Sequence, residues 1–117
     1  MFSALHVLLY STDPDADRDF LRDVLELPFV EDHPGWLIFK APPAEVAVHP
    51  TDGPPFAELH LMCDDIEATT AALTAKGVPV AEVREERWGR ATSLTLPSGA
   101  TIGVYQPKHR TAYDLQP

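Results

Sequence analysis

The chain has 117 residues with 18 acidic and 9 basic side chains, a formal net charge of −9. That length suits one domain able to bury a single core without disulfide or metal staples. The negative balance repels phosphate backbones and anionic lipid surfaces, which excludes nucleic acid and membrane as expected partners and suits a solvated surface or a cationic ligand.

One cysteine, Cys63, leaves no internal disulfide framework. No basic-then-apolar leader is present, and no apolar run nears the roughly 18 residues a bilayer span needs, so the cytoplasm is the expected compartment.

In chain order, residues 4–10 are mostly apolar and β-compatible, ending at the Ser11-Thr12-Asp13-Pro14 breaker. Asp13 is a natural N-cap with proline in the first helical position. Phe20, Leu21, Val24 and Leu25 then recur at helical spacing, and Pro28 is expected to end the helix. Strands are expected over 29–32, 36–40 and 45–49, separated by the His33-Pro34-Gly35 turn and the Pro42-Pro43 breaker. Residues 50–55, with three prolines and a glycine, read as a stiff connector.

The second half repeats the order. Residues 57–63 alternate, Asp64-Asp65 caps a helix, and that helix runs to Lys76-Gly77, where glycine suits the position after the last turn. Residues 78–83 read as a strand continuing irregularly to Glu86. Further strands are expected at 90–96 and 101–105, around the Pro97-Ser98-Gly99 turn, and a tail follows from Pro107. Helices separated by three-strand runs indicate an α+β fold. No Gly-rich phosphate loop, Cys-x-x-Cys pair or nucleophile elbow is present.

The duplication points to a known family. Residues 13–29, a helix running into a Leu-Pro strand start, the entry Cys63-Asp64-Asp65-Ile66-Glu67-Ala68, and the hairpin Leu96-Pro97-Ser98-Gly99-Ala100-Thr101-Ile102 resemble the vicinal oxygen chelate superfamily. That group includes glyoxalase I, bleomycin-resistance proteins, fosfomycin-resistance enzymes and extradiol dioxygenases. The resemblance implies one domain over 1–117, built of two βαβββ modules (about 3–50 and 56–107, linker 51–55, tail 108–117) forming a curved eight-stranded sheet around a ligand groove. It also implies a homodimer, with modules paired within a chain or across two.

In such proteins a divalent metal is commonly held by side chains from the first and last strands of each module. His6 lies seven residues before Asp13 and Glu58 seven before Asp65, so equivalent first-strand positions both carry possible ligands. Glu58 is then the candidate proton-moving carboxylate, and His60 shares its strand face. The last strands place Val46 and Gly103 where the resemblance expects carboxylates, and Glu45 would need a bulge to turn inward. A metal site of His6 and Glu58 alone is incomplete, so no cofactor is expected, with Zn, Ni, Mn or Fe as the alternative. The plainer reading of His60 is a half-buried strand histidine satisfied by a neighbour.

Trp36 and Trp88, at related places in the two modules, are candidate groove walls, with Arg90 or Tyr105 orienting a polar group. Core packing is the alternative for each tryptophan. His33 and His109 are expected in solvent. Three functions follow: a metal-free binder of a small, cationic or aromatic molecule through His6, Trp36, Glu58, His60, Trp88, Arg90 and Tyr105; a metal-dependent lyase, isomerase or dioxygenase of the glyoxalase I type; or an interaction module with a vestigial groove. Whether the chain is an enzyme stays open at this level.

Overall fold

The computed structural model describes residues 6–115. Its elements run α1 (Pro14–Asp23), β1 (Phe29–His33), β2 (Trp36–Phe39), β3 (His60–Met62), α2 (Ile66–Ala75), β4 (Arg84–Glu86), β5 (Gly89–Thr95) and β6 (Thr101–Pro107). The α+β class and the order helix, strands, helix, strands are as expected.

Both helices start as their sequences dictate. The Asp13 carboxylate accepts from Ala16 N, and the Asp65 carboxylate accepts from Glu67 N and Ala68 N, satisfying amides that a helix start leaves without partners. The α2 end follows the glycine rule, with Gly77 at φ 78°. Helix α1 ends differently from expectation. It stops at Asp23, ahead of Pro28, and Glu26 adopts the left-handed conformation at φ 57°. Leu25 N and Leu27 N turn back onto Phe20 O and Leu21 O at 3.1 Å each, closing the last turn before the proline can act.

The second half forms a four-stranded sheet in the order β3-β6-β5-β4, with β3 parallel to β6 and the other pairs antiparallel. Residue alternation divides its faces. Thr92 and Leu94 of β5, opposite Val104 and Ile102 of β6, face the helices. Ala91 and Ser93, opposite Tyr105 and Gly103, face the other way. On the helix side Phe20 of α1 joins Ile66, Leu73, Val78, Leu94, Leu96, Ile102 and Val104 in one buried cluster, with Ile66, Leu94 and Ile102 fully enclosed.

Helix α1 therefore packs on the core of the second repeat, and a polar clamp fixes it there. Buried Asp17 accepts from Ser98 N at 3.1 Å, Ser98 Oγ at 2.8 Å and Ser11 Oγ at 2.7 Å. Three donors on one carboxylate satisfy a charge whose burial would otherwise be costly. Lys76 Nζ adds a bond to Val24 O at 2.9 Å.

The first half is less complete than the resemblance implied. Among its described residues β1 and β2 alone pair, as an exposed hairpin with an irregularity between Glu31 and His33. The described part of the 4–10 segment (residues 6–10) and residues 45–49 form no strand; residues 4 and 5 lie outside the described residues. A strand requires a partner edge for its backbone groups, and neither segment finds one among the described residues. Their apolar side chains stay in solvent, Val48 at 97% and Val46 at 78% exposure. The 78–83 segment departs too, contributing one bridge, Val80 to Leu94, before β4 begins at Arg84. The expected eight-stranded sheet is thus, among the described residues, a hairpin and a four-stranded sheet. No described helix is long and apolar enough to cross a membrane.

Candidate functional site

The sheet face turned away from the helices gathers the chemistry. His60 and Tyr105 project from it on neighbouring strands, with ring centroids 6.1 Å apart and edge-on. Trp88 stands edge-on to Tyr105 on its other side at 5.1 Å. Both are favoured aromatic geometries. Gly89 makes room for this packing: a Cβ there would lie 2.6 Å from Gln106 O and 3.1 Å from the Tyr105 ring.

Glu58 lies at the rim and bonds His60 Nε2 at 2.9 Å. Of the residues proposed from sequence, Glu58, His60, Trp88 and Tyr105 are therefore joined in one contact chain. His60 does find a carboxylate partner, yet its side chain remains 41% exposed on the open face.

The other proposed residues lie elsewhere. Arg90 is on the helix side of the sheet, its guanidinium paired with Glu67 at 3.0 Å and Glu85 at 2.7 Å, because β5 alternation opposes it to Ala91 and Tyr105. Both carboxylates raise its pKa, Glu67 first. Trp36 belongs to the hairpin, stacked on His33 at 5.5 Å and beneath the Arg18 guanidinium at 4.8 Å. His6 is exposed, outside any strand, and makes no hydrogen bond to Glu58.

Two residues that the sequence reading left out of the site belong beside Tyr105. Glu45 is largely covered, with 18% of its side chain exposed, and its Oε1 lies 3.5 Å from the Tyr105 hydroxyl. His109 Nε2 lies 3.0 Å from the same hydroxyl. The other His109 nitrogen, Nδ1, sits 2.8 Å from Arg110 O. A carbonyl only accepts, so Nδ1 carries a proton, while Nε2 faces the phenol oxygen. Burial first, then the charge of Glu45 and the bond to it, push the Tyr105 phenol above its ordinary value. In sequence Glu45 is a poor metal candidate, and no local signal ties the tail to it.

The metal expected from the resemblance does not fit these residues. Gly103 occupies the last-strand position, and a Cβ there would collide with the His60 imidazole. The space of the expected carboxylate is filled by a ring already bonded to Glu58. Among the described residues, no three His, Cys, Asp or Glu side chains converge as a metal-holding group.

Two surface grooves lie away from this face. One of about 540 Å³ runs between α2 and residues 80–83, lined by Thr70, Ala71, Thr74 and Val83 among others. Another of about 340 Å³ lies between α1 and the hairpin, with Arg18, Arg22 and Glu31 on its walls. Neither contains the His60–Tyr105–Trp88 cluster.

TnmS3, an antibiotic binding protein from Streptomyces sp. CB03234, is 30% identical, with 92% of this chain and 100% of that chain covered and a TM-score of 0.65. A glyoxalase/bleomycin resistance protein from the same organism is 28% identical, over 82% of this chain and 93% of that one, at a TM-score of 0.54. Lactoylglutathione lyase from Agrobacterium tumefaciens, at 22% identity, 89% and 92% coverage and a TM-score of 0.64, shares the fold. No curated protein sequence matches the chain. The pattern of one family covers residues 3–104, and on that match the chain belongs to the Glyoxalase/Bleomycin resistance protein/Dioxygenase superfamily.

Proposed function

We propose that the chain is a metal-free binding protein that takes up a small aromatic, cationic molecule on the open sheet face. The observation that carries this reading is the His60 ring over Gly103. It fills the place of an expected metal carboxylate and leaves an aromatic wall, Trp88 and Tyr105, with Glu58 at the rim. Flat apolar rings supply contact area, and carboxylates beside them attract a cation. The net charge of −9 acts in the same direction. Similarity to an antibiotic binding protein supports a sequestering role without chemistry.

Bleomycin, which carries both an aromatic bithiazole and cationic groups, is a suitable probe. Its binding is expected to change tryptophan fluorescence, and Trp88→Ala is expected to weaken affinity about ten-fold or more, as for a central aromatic contact. Unchanged affinity in that variant would remove the aromatic-wall reading. Stoichiometric uptake of Ni(II) or Zn(II), lost in His6→Ala and Glu58→Ala, would instead favour a metal-dependent lyase, isomerase or dioxygenase.

We further propose a homodimer in which residues 6–10 and 45–49 gain strand partners from a second copy. Exposed Val7, Leu8, Leu9, Val46, Val48 and Phe56 support it, since so many large apolar side chains left in solvent on unpaired segments mark interaction sites. Light scattering tests this: a monomer mass at micromolar concentration would contradict it.

A further inference from the structure

The family pattern ends at residue 104, yet the chain continues across the site. Two anchors hold this continuation. At its start, Lys108 N bonds Trp88 O at 2.8 Å, and Lys108 Nζ reaches Glu85 Oε2 at 2.9 Å and Glu86 O at 3.3 Å. These contacts, led by Lys108 and followed by Arg90, hold the Glu85 carboxyl below its ordinary value. At its far end, Ala112 N donates to Glu45 Oε2 at 2.7 Å. Between the anchors, the His109 ring packs against Tyr105 at 5.9 Å, its Nε2 3.0 Å from the hydroxyl.

Glu45 is the piece that makes this arrangement a fastening. One carboxylate oxygen holds the tail backbone, while the other faces Tyr105 Oη at 3.5 Å and His109 Nε2 at 3.6 Å. Glu45 itself comes from the segment between β2 and β3 that forms no strand. Its grip therefore joins two irregular segments over the floor of the sheet.

We propose that residues 108–115 form a strap that closes the Tyr105–Trp88 end of the open sheet face, and that the Glu45–Ala112 bond is its clasp. Release of the clasp uncovers the aromatic wall; the strap is thus the gate to the site under Proposed function, and rests on that reading only for what passes through it. A ligand ammonium group is the natural competitor for Glu45, because it offers the carboxylate a charged donor in place of a backbone amide.

The test needs no ligand. In a Trp36→Phe background Trp88 is the sole tryptophan, so acrylamide quenching reads access to the wall, while trypsin reads access to the bonds after Lys108 and Arg110. Two variants break the clasp from opposite sides: Glu45→Ala removes the acceptor, and Ala112→Pro removes the donating N–H while fixing the backbone there. Circular dichroism confirms that each is folded, and the second variant decides the matter if the first is not. Cleavage about ten-fold faster in the variants, the weight of one hydrogen bond to an ionised carboxylate, together with stronger quenching of Trp88, supports the strap. Unchanged cleavage overturns the clasp. Faster cleavage with unchanged quenching shows a tail that leaves the wall open, and overturns the gate. A failure of bleomycin to bind affects neither measurement, and counts against the binding reading alone.

Discussion

The His60 imidazole lies against Gly103 on the neighbouring strand so closely that position 103 has no room for a side chain. The consequence is testable by adding one carbon. Gly103→Ala is expected to rotate the His60 ring, break its bond to Glu58 and cost about 1–2 kcal/mol. In a His60→Ala background the same substitution should cost much less, because the obstructing ring is gone. Urea denaturation of the four proteins gives the coupling; additive costs would show that the two residues do not compete for the space.

Asp17 is a second point where one side chain has a large structural effect. Asp17→Ala leaves the Ser98 amide and hydroxyl without their acceptor at a buried junction. The expected loss is about 3 kcal/mol, as for removal of a hydrogen-bonded buried charge. Ser98→Ala, which keeps the amide bond, should lose about 1 kcal/mol. Equal losses would mean that the backbone contact contributes nothing.

Glu26 offers a stabilising change. A non-glycine residue at φ 57° bears a steric penalty that glycine avoids. Glu26→Gly is expected to raise stability by about 0.5–1 kcal/mol after the greater unfolded-state freedom of glycine is counted. Only a long 3.9 Å pair with Lys76, exposed on both sides, is lost. A lowered melting temperature would contradict this.

Tyr105 determines the alkaline behaviour of the site. Its pKa is raised in the folded protein, so the folded state holds the phenol proton more tightly than the unfolded chain does. That contribution is fully present below the unfolded value of 10.0 and disappears as pH climbs through the higher folded value. Stability should therefore decline with pH above about 10, and Tyr105→Phe should remove this part of the decline. Absorbance near 295 nm during titration should show one tyrosine ionising later than free tyrosine.

Much of the fold could be read along the chain because local chemistry specifies it. The aspartate caps, the helical spacing of Phe20 and Val24, and the alternation of residues 90–96 each act within a few residues of themselves. The same alternation could have removed Arg90 from the site, since it lies an odd number of positions from Ala91 in β5 and so on the opposite face. Glu58 and His60 were expected on one strand face; β3 begins only at His60, and Glu58 reaches the ring from just before it.

By itself, then, the sequence determined the α+β class and the repeated helix-and-strand order, which follow from short-range periodicity and capping. Tertiary structure alone decided that α1 would dock on the second repeat through Asp17 and Ser98, which are 81 residues apart. It alone left residues 6–10 and 45–49 unpaired, and brought Glu45 to Tyr105 across 60 residues. Strand formation and hydrogen bonding at such distances depend on which edges and donors meet in space, and no local pattern in the chain encodes that meeting.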